Sequence, residues 1–180
     1  MKYEKYQNNI SIKNKVLRLI WNLVWWLFFR PFSLPFFNRW RIFLLRLFGA
    51  KIGKGCKVHA SVKFWAPWNL EMGDLVAFGF DALCYNPGKI IIGSKVSISQ
   101  RAHLCSASHD ITDEKNPLIT APIIIEDRAW VATDTFISMG VTIKKGGVVG
   151  AKAAVFKDVE SWTVVGGNPA KFLKKREIIK

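Results

Sequence analysis

Residues 125–160 read IEDRAW, VATDTF, ISMGVT, IKKGGV, VGAKAA and VFKDVE. Every block of six opens on Ile or Val, and its fifth residue is small or β-branched: Ala129, Thr135, Val141, Gly147, Ala153, Val159. An amphipathic helix would repeat its apolar residues at i, i+3 and i+4, and a half-buried strand would alternate. A period of six does neither. It fits a solenoid of short parallel strands, each sending one aliphatic side chain inward, coil stacked on coil. Six consecutive blocks that agree at two positions favour this over accidental spacing in an ordinary all-β domain.

The same beat runs earlier in the chain. IGKGCK from Ile52, VHASVK from Val58, IGSKVS from Ile92, ISQRAH from Ile98 and LCSASH from Leu104 obey both positions. Between Phe64 and Pro87 bulkier residues hold the frame loosely, with Phe64, Leu70, Val76 and Ala82 expected inward. Two segments interrupt the count. One is a short insertion at Tyr85-Asn86-Pro87-Gly88, and the other is a loop over about 106–122. The expected organisation is a helical arm over 1–50, the repeats over 51–163, and a tail over 164–180.

Charge is concentrated at the front. The 180 residues carry a net charge of +14, and residues 1–51 hold ten Lys/Arg against the single acid Glu4. That arm is also greasy: Trp21, Trp25, Trp26, Phe28, Phe29, Phe32, Phe36, Phe37, Trp40, Phe43 and Phe48 fall within it. The run from Leu19 to Phe29 is shorter than the roughly 20 residues needed to span a bilayer core. It also lacks the small-residue cleavage site of a signal peptide. Two readings remain open. The arm lies in a membrane interface through mixed aromatics and cations, or it packs on the solenoid's end and covers an edge. Nucleic-acid binding does not fit an arm this apolar, and no recognised motif for it occurs. The odd cysteine count (Cys56, Cys84, Cys105) points to a reducing, cytoplasmic setting, with the thiols used for packing.

The repeats, Ser108-His109-Asp110 before the loop, Lys157-Asp158, and Gly167-Asn168-Pro169-Ala170-Lys171 resemble the hexapeptide-repeat acyltransferases. The likeness covers about 50–175. Arg39-Trp40-Arg41, Leu44 through Gly53, Ile98-Ser99-Gln100 and Ala132-Thr133-Asp134 are most similar to its colanic acid biosynthesis acetyltransferase branch. The resemblance implies an all-β, left-handed parallel β-helix that forms a homotrimer. It also implies O-acetylation of a sugar or lipid-linked oligosaccharide, with acetyl-CoA as co-substrate and no metal. Exopolysaccharide or capsule biosynthesis is the implied setting; the cysteines and the arm's composition put it in the cytoplasm or peripherally on the inner face of the plasma membrane.

Acetyl transfer from a thioester to a hydroxyl needs a base for the hydroxyl proton and an acid for the departing thiolate. One imidazole can serve as both, because its pKa lies near working pH. Of His59, His103 and His109, only His109 matches the family's catalytic histidine. Asp110 either orients that ring or caps its loop, and Asn86 matches positions that touch the sugar or the histidine. Trp130 is expected to wall the acceptor or thioester site. Ala132, Thr133, Gly150 and Ala151 match positions whose backbone follows pantetheine. Thr133 and Ala151 are 18 residues apart, so three blocks per coil would stack them one strand spacing, about 4.8 Å, apart. Lys157 and Lys171 match cations near the adenine and phosphates. The chain departs from the family at the second position of its blocks, where Ala132, Ser138, Lys144 and Phe156 replace a frequent glycine. Phe156 sits where the adenine pocket is expected. A zinc carbonic anhydrase, a nucleotidyltransferase and an inactive membrane-associated scaffold are the competing classes.

Overall fold

The computed structural model describes residues 10–178. Lys2, Glu4 and Lys5 of the arm, and residues 179–180, lie outside the described residues. From Lys51 onward the chain winds as a left-handed parallel β-helix of triangular section, with walls of five, seven and five strands. Lys51 pairs with Glu71 and Glu71 with Ile91, so the first two coils take 20 residues each. Ile91 pairs with Ile124 across the loop, and Ile124 with Thr142 eighteen residues on.

Each of the first five blocks of six is one strand and one corner; in the sixth, Val159 already pairs with Ile143 on the next wall, so the last coil takes 16 residues, as Val149 to Val165 does. Ile125, Val131, Ile137, Ile143 and Val149 open their blocks and are fully enclosed. The fourth residue of each of the first five blocks turns the corner in the left-handed backbone region: Arg128 at φ 61°, Asp134 at 57°, Gly140 at 77°, Gly146 at 69° and Lys152 at 60°. A side chain there costs about 1–2 kcal/mol, which the stacked coils above and below hold in place. Gly146 is required twice over. A Cβ at that position would also lie 2.5 Å from the Trp162 ring.

The early frame differs from the sequence expectation. Ile52, Val58 and Phe64 pair with Met72, Phe78 and Cys84, so these open the blocks of the second coil. Leu70, Val76 and Ala82 are buried too, but each stands two residues earlier, at the fifth position. The slip arises at the corner after Phe64, where a short 3-10 turn over Pro67–Asn69 adds two residues. Ser108, expected in a repeat, is exposed on a hairpin strand instead. The boundary expected at 163 also falls inside a strand. Thr163–Gly166 pairs in parallel with Val148–Val149, and Lys171–Lys175 returns antiparallel along it.

The arm comprises helix α1 (Ile12–Val24), a wider turn over Trp25–Phe29 and helix α2 (Asn38–Leu47). Its placement follows from the open end of the ladder. Rungs run both ways along the stack, as in Lys57 N–H to Val76 C=O and Leu75 N–H to Lys54 C=O. The groups of the first coil that face away from the stack have no coil to answer them. The arm answers them with side chains, Asn38 Oδ1 accepting from Val58 N–H at 2.9 Å and several donors meeting the carbonyls. The Trp21 indole donates to Phe64 O at 2.7 Å, Trp25 to Val62 O at 2.8 Å and Asn38 to Cys56 O at 2.9 Å. Arg41 Nε donates to Val58 O at 2.8 Å, and Arg46 to Ile52 O at 2.7 Å. Trp21, Trp25 and Phe29, spaced by four, seal the same end apolarly. The packing reading of the arm is thus observed.

Trp25→Phe keeps the ring and deletes one donor to a buried carbonyl. It should lower unfolding free energy by about 1–3 kcal/mol, read as a shifted urea midpoint at constant slope. Trp26→Phe, on the exposed side, should stay within about 0.5 kcal/mol. Equal effects of the two would contradict the capping role.

Candidate active site

The loop after Cys105 is an antiparallel hairpin, Ala107–His109 against Leu118–Thr120, with Ser108 opposite Ile119 and His109 opposite Leu118. It leaves the prism at the edge between the strands His103–Cys105 and Ile123–Ile125. His109 Nδ1 lies 2.7 Å from the Asn116 carbonyl oxygen. A carbonyl only accepts, so Nδ1 carries a proton, and the tautomer this selects for the neutral imidazole has its lone pair on Nε2. Asn116 sits at φ 41° and donates its own N–H to Asp113 O at 2.8 Å, which aims its carbonyl at the ring. Sequence reading missed Asn116, because its contribution is backbone. The only signal was that asparagine tolerates the left-handed region.

Asp110 accepts from the Thr112 N–H at 2.9 Å and the Thr112 hydroxyl at 2.6 Å, as a loop-capping carboxylate does. Those two bonds hold its pKa below the usual carboxylate value. Asn86, expected against the acceptor, is wholly buried. Its Oδ1 accepts from Ala66 N at 3.0 Å and its Nδ2 donates to Ala66 O at 2.7 Å, so its amide clamps one coil's corner to the next. Two further residues tie that corner to the hairpin. The buried Ser106 hydroxyl accepts from Gly88 N and donates to Gly88 O, both at 3.0 Å. A Cβ on Gly88 would come within 3.1 Å of Thr120 and 3.0 Å of the Ser106 carbonyl. The hairpin base closes over a position only glycine fills without displacement.

Thr133 and Ala151 stack as the period required: Val131 pairs with Val149, and Lys152 N donates to Thr133 O at 2.9 Å. Ala132 is buried, Gly150 partly so, and Ala151 is exposed. The Thr133 hydroxyl reaches down one coil to Gln100 O at 3.0 Å. Beside them Arg101 grips Asp134 through Nε–Oδ1 at 2.6 Å and Nη2–Oδ2 at 2.9 Å, locking the corner. Trp130 is half-exposed, with its indole N–H on Ser99 Oγ at 2.9 Å. It borders a hollow of about 650 Å³ shared with Lys174, Lys175 and Arg176. Lys157 borders a second hollow, of about 310 Å³, with Phe172 and Lys175. Lys171 is exposed at the start of the last strand, and Phe156 leans on Phe136 at 5.8 Å.

These groups fall on two edges. Thr133 and Ala151 occupy the edge between the second and third walls, whereas the His109 hairpin leaves the edge between the third and first. One whole wall of the prism separates them within a chain.

The other histidines are placed differently. His59 Nδ1 meets Ser61 Oγ at 3.0 Å. His103 packs edge-on to Phe136 at 5.4 Å, and burial lowers its pKa. Among the described residues no three His, Cys, Asp or Glu side chains converge on one point.

No family model matches the chain. A relative in Escherichia coli K12, provisionally named colanic acid biosynthesis acetyltransferase, is 46% identical over 138 residues, covering 77% of this chain and 76% of its own. The chain belongs to the hexapeptide-repeat acetyltransferases. Solved members superpose over most of its length. One is a hexapeptide-repeat acetyltransferase from Vibrio cholerae, with a TM-score of 0.83, 26% identity, and 93% and 95% of the two chains covered. Another structure of that protein, complexed with acetyl-CoA, has a TM-score of 0.73 at 24% identity and covers 99% and 96%. A maltose O-acetyltransferase from Clostridium difficile 630 has a TM-score of 0.84 and 26% identity, covering 93% and 90%.

In this acetyltransferase, Asn86→Ala should strand the Ala66 N–H and C=O in a buried corner and cost about 2 kcal/mol or more. Chemical denaturation measures it. An unchanged midpoint, combined with a raised KM for the sugar, would return Asn86 to the acceptor.

Proposed function

We propose that the protein transfers an acetyl group from acetyl-CoA to a sugar hydroxyl in exopolysaccharide or capsule biosynthesis, with His109 as general base. The observation that carries this reading is the bond from His109 Nδ1–H to the Asn116 carbonyl at 2.7 Å. It fixes the tautomer whose Nε2 can accept a proton. Nε2 takes the hydroxyl proton as the sugar oxygen attacks the thioester carbonyl. The tetrahedral adduct then collapses, its C–S bond breaks, and the imidazolium returns the proton to the departing thiolate. An inactive scaffold would have no use for that locked ring.

The V. cholerae relative's acetyl-CoA supports the donor, and the C. difficile relative's maltose supports a sugar hydroxyl as acceptor. Pantetheine would follow the backbone at Ala132, Thr133, Gly150 and Ala151, with the phosphates near Lys157 and Lys171 and Trp130 walling the thioester end. Because His109 and the Thr133–Ala151 column stand on different edges of one prism, the reacting groups meet between copies. A homotrimer closes that arrangement three times. The acceptor is a sugar or a lipid-linked oligosaccharide, and the supply of acetyl-CoA places the reaction in the cytoplasm.

His109→Ala should lose about two to four orders of magnitude in turnover, while CoA affinity by calorimetry changes little. Turnover within threefold of the parent would move the proton transfer elsewhere. Mixing His109→Ala chains with Ala151→Trp chains, each inactive alone, should regenerate a fraction of the parent activity. No recovery in a mixed, assembled sample would place the whole site in one chain.

A further inference from the structure

Helix α1 is apolar on two opposite sides. Trp21 and Trp25 lie on the side sealed against the first coil. Ile12, Val16, Leu19 and Leu23 are each half exposed or more, and at about 100° per residue they form one stripe facing away from the coil. Ile20 and Leu27 widen that stripe, and Phe36 and Phe43 carry exposed apolar surface onto the rest of the arm. The capping of the solenoid explains none of these, since it uses only the inward side.

Charge decides what covers them. Lys13 and Lys15 are exposed and fall on either flank of the stripe, and Arg30 and Arg39 are exposed beyond it. Residues 10–50 contain no Asp or Glu. A second copy laid on this face would bring the same cations against one another. A surface of anionic phosphates would complement them.

We propose that the outer face of the arm docks on an anionic lipid bilayer. The Ile12–Leu23 stripe enters at the boundary of headgroups and acyl chains, and the flanking lysines rest on phosphates. The contact is peripheral: among the described residues no helix is long and apolar enough to cross a membrane. It stands independently of the acetyl-transfer reading, because it uses no residue of that site.

Flotation of the purified full-length protein tests it. The protein should rise with phosphatidylcholine–phosphatidylglycerol vesicles and remain largely behind with phosphatidylcholine alone. The double variant Leu19→Gln, Leu23→Gln should lower the bound-to-free ratio at least tenfold through lost apolar burial. The variant Lys13→Glu, Lys15→Glu should lower it at least tenfold by reversing the local charge. Both should keep the parent's thermal midpoint and sedimentation coefficient. A parent protein that stays behind with both vesicle types would overturn the proposal, as would undiminished flotation of the variants. A shift of the leucine variant to a smaller sedimenting species would overturn it as well, assigning the stripe to another copy of the chain.

Discussion

Parallel stacking in register is the constraint from which the rest of this molecule follows. When each coil lies on the one before it, alternate residues turn their N–H and C=O toward the next coil and the others toward the one before. Each hexad position also recurs in a column. The first consequence falls on the ends, where a parallel stack always exposes one unanswered row. At the first coil the chain meets the row's carbonyls with donors on Trp21, Trp25, Asn38, Arg41 and Arg46, and its Val58 N–H with Asn38 Oδ1. The arm's tryptophans and arginines, odd as mere filler, are what those carbonyls require. Arg41 is buried with its guanidinium on carbonyls alone, and desolvation lowers its pKa. At the far end the antiparallel return of Lys171–Lys175 covers the last strand of the second wall.

The second consequence concerns the site. Columns make an edge a ready binding track, since small residues at one hexad position leave a smooth backbone ledge several coils long. Thr133 above Gln100 and below Ala151 is such a ledge. A repeating edge is poor at holding a single reactive group, because the next coil repeats it. The His109 hairpin solves this by leaving the repeat altogether, rooted through Ser106, Gly88 and the Asn86 clamp to the corner beneath. On the proposed reading, chemistry and cofactor track therefore sit on separate edges, and assembly brings them together.

The repeats from Ile125 to Val155 were legible because no corner there adds or drops a residue, and an aliphatic at each block's start has one destination; after Val155 the corner is two residues short and Val159 takes the opening place. Between Phe64 and Pro87 the first and fifth positions both face inward, so Leu70 could pass for a block opener once Pro67–Asn69 had shifted the count. His109 was singled out by its neighbours. Asn86 was matched to groups that touch the sugar or the histidine, and nothing in Tyr85-Asn86-Pro87-Gly88 announced that its amide pairs with the Ala66 backbone inside a corner. Asn116 was invisible, its role being a carbonyl. The arm's composition announced a greasy, cationic element but not which side met the coil. Burial of Trp21 beside exposure of Leu19 and Leu23 resolves that face by face.

The most direct measurement of the account is a crystal structure of the assembled protein with CoA bound. The account predicts a trimer in which the CoA sulfur, led along the Thr133–Ala151 edge of one chain, lies within about 4 Å of His109 Nε2 of a neighbouring chain, the approach a proton transfer needs. A sulfur that reaches His109 of the same chain, or a CoA bound away from that edge, would contradict it.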